Sequence, residues 1–290
     1  MSGQLLQLLS ARWLIYRGEI LSYLPLFYSF MNGNQSVLNF ADDIARNKPY
    51  VISGTNVVSS NQYDLTDNNI PENSVAIIPI MGVMVSWKTQ ELANNVLKAQ
   101  ENPNISSILF MVNSPGGMVF YTDIAAQIIK DCPKPTVALV MNMACSAAMW
   151  LVSACDQILL SSKLDVMGSI GVMLTFTDFN GFLKEKLGIT VYDIYARKSE
   201  EKNHDLRQLL AGNEDPILDE LDFTNQIFHN AIIENLGISA DSEVFKGGHY
   251  NAQKAIDLGL AHGFSSFPQA IETAYKLGLK QTISSLMNNL

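Results

Sequence analysis

The stretch ISSILFMVNSPGG at residues 105–117 decides the fold of this chain. Its first eight residues are mostly β-branched or large apolar side chains, which predicts a buried strand. A polar residue, a proline and two glycines follow, and this composition turns the backbone tightly and lets its N–H groups approach a ligand. In parallel α/β sheets, ligands collect at the carboxyl ends of the strands. The segment therefore predicts a strand that leads into a functional turn, although a purely structural turn explains the glycines equally well.

Strand-like and helical runs alternate on both sides of this segment. Residues 75–80 and 137–141 predict further strands, and residues 88–100 and 121–131 predict helices between them. This βαβα order indicates an α/β fold with a largely parallel sheet. Farther along we expect strands at residues 157–160, 171–176 and 190–195, and helices from residue 146, at residues 180–187, from Asp215 to Gly237, at residues 251–258 and over the last 25 residues.

Three regions are expected along the chain. For residues 1–70 we predict an N-terminal helical arm followed by a polar linker. The arm is predicted because residues 1–30 are apolar but carry the charged residues Arg12, Arg17 and Glu19. The linker is predicted because residues 56–69 are rich in Asn, Asp and Ser. Residues 71–265 predict the compact α/β domain, and residues 266–290 a peripheral C-terminal helical tail.

A run of twenty residues without a charge, residues 136–155, has the length of a membrane span. Pro133 and Pro135 precede it, its first half favours a strand, and its Ala- and Ser-rich half favours a buried helix. We therefore predict a strand and a core helix here, and no membrane anchor.

Composition excludes several classes of function. The net charge of −9 and the pI near 4.9 argue against nucleic acid as a partner, because binding phosphates requires clustered Lys and Arg. Cys132, Cys145 and Cys155 lack the spacing of a disulfide framework or a zinc site. We expect neither a metal nor another cofactor, and a reducing, cytoplasmic location.

Two more small-residue segments follow predicted strands: residues 144–148, with Ser146 at their centre, and residues 167–172, which contain Ser169. Ser146 stands at the start of a helix, where free N–H groups favour nearby negative charge. It is a candidate nucleophile, and the alternative interpretation is a buried helix-capping serine.

A nucleophilic serine needs a base. None of the four histidines lies in a glycine-bounded corner between a strand and a helix, so the sequence does not indicate a Ser-His-Asp triad. A lysine can serve instead if burial lowers its pKa toward neutrality. Lys198 follows the strand predicted at residues 190–195 and is expected to point into the core, while Lys202 and Lys163 compete for the role.

Together these segments resemble the signal peptide peptidase A (SppA) family, serine-lysine peptidases whose fold is related to ClpP and crotonase and which include phage prohead proteases. The resemblance spans residues 75–263. Its most specific parts are residues 113–117, residues 134–137 leading to the Ala-x-Ser motif at residues 144–146, and residues 168–172, 195–198 and 255–260.

The resemblance implies a ClpP/crotonase-like fold and a serine endopeptidase of phage capsid maturation or signal-peptide degradation. Ser146 then matches the nucleophile and Lys198 the general base, the amides of Gly117 and Ala147 form the oxyanion hole, and Gly116 and Ser169 support them. An extended peptide is expected to pair with residues 116–120 or 171–174. The family also implies a homo-oligomeric ring whose serine and lysine can come from neighbouring subunits.

The chain departs from the family pattern in two places. Ala147 and Ala148 stand where Gly-Gly usually follows the nucleophile, which leaves open a catalytically inactive capsid scaffold, with a crotonase-type acyl-CoA enzyme as another alternative. Glu200 and Glu201 favour a protonated lysine, so the choice between Lys198 and Lys202 stays open. Self-cleavage within residues 56–69 is a further expectation.

Overall fold

An eight-stranded sheet forms the centre of the fold. The computed structural model describes residues 13–15, 48–53, 64–176, 178, 180–188, 190 and 192–288. Six strands follow the order β10-β7-β6-β4-β3-β2 across the sheet, and two short strands, β8 and β9, extend it beside the end of β6. These strands are β2 (Tyr50–Ile52), β3 (Ser74–Met81), β4 (Ile105–Ser114), β6 (Thr136–Cys145), β7 (Gln157–Leu160), β8 (Val166–Gly168), β9 (His249–Asn251) and β10 (Gly263–Phe264).

The central strands are parallel, and only β2 and β9 run antiparallel to their neighbours β3 and β8. A separate two-stranded sheet pairs β1 (Trp13–Ile15) with β5 (Gly116–Met118). The helices are α1 (Ser86–Glu101), α2 (Thr122–Lys130), α3 (Ala147–Ser153), α4 (Asn180–Leu187), α5 (His204–Leu210), α6 (Asp215–Leu236), α7 (Ala252–Asp257) and α8 (Phe267–Asn288).

The core lies on both faces of the sheet. Along β3, Ala76, Ile78 and Ile80 face a large cluster that contains α1, α2, α3 and α6, whereas Val75 and Ile77 face a second cluster under α8. This alternation follows from the two-residue period of a strand. Apolar residues at successive positions of β3 therefore bury both of its faces, as its apolar run predicts.

Helix α8 is part of this core. Its residues Ala270, Ile271 and Ala274 are buried against the sheet. Gly278 comes so close to β4 that an added Cβ would lie 2.6 Å from the Ser106 hydroxyl oxygen. The helical prediction for the end of the chain is confirmed, but the expectation that this helix is peripheral is wrong, because it covers one face of the sheet.

The uncharged run at residues 136–155 folds as predicted. It forms β6 and the fully buried helix α3, not a single long helix. Within the part of the chain that the structure describes, none of the helices combines the length and the apolar character needed to cross a membrane.

Four expectations about secondary structure need correction or fall outside the described residues. Residues 171–176 and the described part of 190–195 form no strand, and the sheet continues through β8 instead. Trp13–Ile15 is a strand and not part of a helical arm, while the rest of residues 1–47 lies outside the described residues. The sheet also includes β2, which lies within the region that the sequence predicts as arm and linker.

Candidate active site

Ser146 occupies a sharp corner between β6 and α3. Its backbone adopts φ 57° and ψ −119°, a conformation that costs a non-glycine residue on the order of 1–3 kcal/mol and that collects at active sites. The Ser146 amide donates to the Gly168 carbonyl oxygen at 2.9 Å, and its carbonyl oxygen accepts from the Trp150 amide at 3.0 Å. These two bonds fix the corner, and the serine is only 1% exposed.

Ala147 and Ala148 form the first turn of α3 and are fully buried. The amides in the first turn of a helix have no acceptor within the helix. The Ala147 amide, directly after Ser146, therefore makes no hydrogen bond within α3. Alanine fits here because the methyl groups are packed in the core, and the departure from Gly-Gly leaves this backbone turn intact.

The Gly116-Gly117 turn lies against a second backbone segment at Met84. The Met84 amide donates to the Gly116 carbonyl oxygen at 2.8 Å, and the Met118 amide donates to the Met84 carbonyl oxygen at 2.7 Å. A Cβ on Gly117 would lie 1.8 Å from that Met84 oxygen, so only glycine fits. Ser114 supports the turn because its buried hydroxyl accepts from the Gly116 amide at 3.2 Å.

Gly168 and Ser169 form the third corner of the site. Gly168 has φ 113°, and an added Cβ there would lie 2.6 Å from the Gly248 carbonyl oxygen. Ser169 has φ 52°, and its amide donates to that same oxygen at 2.6 Å. Segment 247–249 therefore holds the backbone of the half-buried Ser169 in place.

Strand register brings these corners together. Ser114 pairs with Ala144 between β4 and β6, and Cys145 pairs with Gly168 between β6 and β8. Ser146 and Ser169 therefore leave adjacent strands at the same edge of the sheet, next to the Gly116-Gly117 turn. This edge carries a strained serine and closely approaching backbone amides, which is the arrangement that acyl transfer requires.

Asp165 stabilises this edge of the sheet through hydrogen bonds to its carboxylate. Its buried carboxylate accepts from the Asn142 amide at 2.9 Å, from the Ser162 amide at 2.8 Å and from the Ser161 hydroxyl at 3.1 Å. Asn142 itself has φ 109°, so the carboxylate holds an irregular point in β6 that lies four residues before Ser146. Asp165 is not among the site residues predicted from the sequence, although Ser162 three positions before a carboxylate is a recognisable local hydrogen-bonding pattern.

The candidate lysines are all exposed in the single chain. Lys198 lies in a turn that is closed by the Ser199 amide donating to the Ala196 carbonyl oxygen at 3.0 Å, and Lys202 and Lys163 are exposed as well. The expectation that Lys198 points into the core is wrong for one isolated chain. No hydrogen bond joins any of these lysines to Ser146 among the described residues.

Lys134 is the described lysine whose pKa is lowered most clearly, to about 8, because burial disfavours its charge. Its ammonium group donates to the Ala99 carbonyl oxygen at 2.8 Å and to the Asn102 carbonyl oxygen at 2.5 Å. It precedes β6, and ten residues of strand place it roughly 30 Å from Ser146. It therefore stabilises the end of α1 and is too distant to serve as the base.

The remaining reactive side chains have other surroundings. Burial raises the pKa of the Cys145 thiol to about 12, so this neighbour of Ser146 stays a neutral thiol near pH 7. His262 accepts from the Ile158 amide at 2.9 Å, and His204 lies 3.9 Å from a Glu201 carboxylate oxygen. His229 packs on Phe245 with ring centroids 4.7 Å apart, and burial lowers its pKa.

Comparison with protein families identifies the group to which this fold and site belong. The model of peptidase family S49 matches residues 129–281, more than half of the chain. The chain belongs to peptidase family S49. The model of the Clp protease family matches residues 67–167, which include the Gly116-Gly117 turn and Ser146. The predicted resemblance to SppA-type serine peptidases is confirmed at the level of the family, and so is the ClpP-like α/β fold.

The curated relatives include phage and bacterial proteins. The chain is 29% identical to Capsid assembly protease C of Escherichia phage lambda over 69% of this chain and 48% of that protein. It is 26% identical to Head-tail preconnector protein GP5 of Enterobacteria phage P21 over 69% of this chain and 42% of that one. It is 28% identical to Protease 4 of Haemophilus influenzae over 42% of this chain and 21% of that protein.

The chain therefore spans about half the length of the phage relatives and a fifth of Protease 4. Among solved structures it is similar to the ClpP1 N165D mutant from Listeria monocytogenes, with 14% identity, a TM-score of 0.45 and coverage of 67% of this chain and 94% of that one.

Proposed function

We propose that this S49 chain is a serine endopeptidase with Ser146 as its nucleophile. The observation that carries the proposal is the strained, hydrogen-bonded corner of Ser146 at the sheet edge where the Gly117 backbone also arrives. Strain of this kind positions a hydroxyl for attack, as in the strand-to-helix corners of other serine hydrolases.

The proposed reaction has two steps. Ser146 Oγ attacks a peptide carbonyl carbon while a neutral lysine accepts the hydroxyl proton, and the amine then leaves with that proton to give an acyl-enzyme. Water releases the acyl group with the same lysine as base. The Gly117 and Ala147 amides are proposed to hold the oxyanion, and each such donor typically contributes roughly 3 kcal/mol to transition-state stabilisation. Ser169 is proposed to orient the lysine.

Lys198 is proposed to reach Ser146 across a subunit contact. An exposed lysine stays protonated and cannot act as a base, so it must be buried when the site forms. Tyr192 and Ile194 precede it and are 80% and 92% exposed, which is unusual for side chains of this size. A ring of copies that covers these side chains would also bury Lys198, as a lysine that acts as a general base requires. Lys202 remains the alternative base.

The substrates are proposed to be extended peptides of phage head proteins. Two relatives named for capsid assembly and for a head-tail preconnector align over 69% of this chain, whereas Protease 4 aligns over 42%. Degradation of signal peptides, which the resemblance to the SppA family implies, is the second candidate. An inactive scaffold would require an unreactive Ser146, which the following experiment addresses.

A fluorophosphonate probe tests the nucleophile directly. We expect the probe to label the wild-type chain and not Ser146→Ala, and proteolysis to disappear with the label. Ser284→Ala is the matched control, because Ser284 is an exposed serine on α8. Labelling or cleavage that persists in Ser146→Ala contradicts the assignment. Lys198→Ala compared with Lys202→Ala identifies the base, since only the true base variant loses activity and keeps its assembly.

A further inference from the structure

A segment of the chain's own N-terminal region pairs with the turn that carries Gly117. Strand β1 runs antiparallel to β5, with Trp13 opposite Met118, Leu14 opposite Gly117 and Ile15 opposite Gly116. This is an extended peptide bound to residues 116–118, which belong to one of the two segments expected from the sequence to pair with a substrate. Strand addition of this kind uses main-chain hydrogen bonds and needs little from the side chains.

The register identifies which atoms face each other. On one edge of β5, the Gly116 carbonyl oxygen accepts from Met84 and the Met118 amide donates to Met84. Since successive residues of a strand direct their N–H and C=O groups to opposite edges, the N–H and C=O of Gly117 face β1. Leu14, directly opposite, therefore forms the hydrogen-bonded pair, and its carbonyl oxygen is the acceptor for the Gly117 amide.

This pairing gives Leu14 the position of a substrate residue. The Gly117 amide is the donor that the proposed mechanism assigns to the oxyanion, so the carbonyl group that it meets is the one exposed to attack. We propose that Trp13–Ile15 is bound as a substrate and that the chain cleaves its own Leu14–Ile15 bond. This inference rests on the proposed function and adds a bond, a direction of binding and a substrate class: an extended apolar segment.

The cleavage balances as an ordinary hydrolysis. Ser146 Oγ bonds to the Leu14 carbonyl carbon, the carbon–nitrogen bond to Ile15 breaks, and the Ile15 amine leaves with the proton that the lysine took from Ser146. One water molecule then releases residues 1–14 with a new carboxyl group at Leu14. The remaining chain begins with Ile15, and departure of the cleaved segment leaves β5 open for other peptides.

Two proline variants separate pairing from cleavage. Ile15 forms a non-hydrogen-bonded pair with Gly116, so its N–H points away from β5 and Ile15→Pro keeps the pairing. It also keeps Leu14 extended and turns the scissile bond into a tertiary amide. Leu14→Pro instead removes the N–H that faces the Gly117 carbonyl oxygen and disrupts the pair. Both variants alter the same tripeptide and leave the folded domain unchanged.

Intact mass and N-terminal sequencing of the purified full chain provide the first readout. We expect the wild type to begin at Ile15, and Ser146→Ala, Ile15→Pro and Leu14→Pro to keep residues 1–14. The rate of fluorophosphonate labelling provides the second. If β1 covers the site in about nine chains of ten, Ile15→Pro reacts about tenfold more slowly than Leu14→Pro.

Four results would count against the inference, and they differ in what else they overturn. In the first, the wild type is labelled at Ser146 and cuts an added unfolded protein, yet it keeps residues 1–14. This result overturns the inference and does not affect the proposed peptidase function. Equal labelling rates for the two proline variants also overturn the inference. A wild type that is neither labelled nor active overturns the proposed function and the inference together, and cleavage that persists in Ser146→Ala assigns the cut to another protease.

Discussion

Gly117 contacts the backbone of Met84 so closely that a Cβ at position 117 would lie 1.8 Å from the Met84 carbonyl oxygen. No real Cβ is found at such a distance, and the neighbour is backbone, which cannot rotate away. Any side chain at position 117 must therefore displace the turn that carries the proposed oxyanion donor.

We expect Gly117→Ala to lower kcat by about 10²–10³, the usual effect of losing one oxyanion donor. Gly181→Ala is the control, because an added Cβ at Gly181 meets nothing within 4 Å. Steady-state hydrolysis of a peptide substrate measures both, with thermal unfolding to show that the chains remain folded. Wild-type kcat in Gly117→Ala would remove Gly117 from the site.

The positive φ of Ser146 has a measurable effect on stability. This combination of a positive φ with ψ −119° costs a non-glycine residue on the order of 1–3 kcal/mol and costs glycine little. We expect Ser146→Gly to unfold with a free energy about 1 kcal/mol higher than Ser146→Ala in urea titrations, while both variants are inactive. Equal or reversed stabilities would show that the corner is not strained.

Asp165 is expected to hold the site edge together. Asp165→Ala leaves the Asn142 and Ser162 amides without their acceptor, and each buried unsatisfied donor costs about 1–3 kcal/mol. We expect the free energy of unfolding to fall by roughly 3 kcal/mol and activity to fall with it. Asp131→Ala, at an exposed position, serves as the control and should stay close to wild type.

Lys134 makes stability depend on pH in the alkaline range. Burial lowers its pKa from 10.5 to about 8, so between these two values the unfolded chain binds more protons than the folded one. The contribution of Lys134 to stability therefore rises with pH from about 8 to about 10.5. Comparing urea unfolding of wild type and Lys134→Met across this range isolates it, and parallel curves would contradict the assignment.

Assembly should depend on the exposed side chains before Lys198. Burial of a large apolar side chain contributes about 1.5–3 kcal/mol, so Tyr192→Asp combined with Ile194→Asp should shift the chain to monomers in sedimentation experiments. Activity should be lost in parallel, because Lys198 then stays exposed. Met287→Asp, also at an exposed apolar position, is the control. A fully active monomer would show that the site is complete in one chain.

The sequence predicts best those strands that are buried on both faces. Residues 75–80 and 108–112 are continuous apolar runs, and they belong to the strands β3 and β4 in the observed sheet. The strand expected at residues 171–176 fails because its apolar residues lie beyond the last paired position of β8, which is only three residues long and ends in glycine. Short edge strands of this kind are defined by register and not by composition.

Some candidate site residues can be predicted from local composition, and others cannot. Ser146 and Gly117 are candidates from the sequence because both lie in short segments of small residues that follow predicted strands. Asp165 acts through a local turn, and its effect on Asn142 comes only from tertiary structure. The residues around Lys198 in the sequence do not predict its surroundings. The turn that carries Lys198 is exposed in one chain, and its proposed burial depends on the surface of another copy.

Helix α8 follows all the strands of the sheet in the sequence, and this order limits when the sheet can be covered during synthesis. Ala270, Ile271 and Ala274 complete the core against one face of the sheet, so a nascent chain on the ribosome exposes Leu109 and Val137 until α8 has been translated. The proposed nucleophile Ser146 is synthesised more than a hundred residues before α8. We therefore expect the proposed peptidase activity to wait until α8 has emerged from the ribosome.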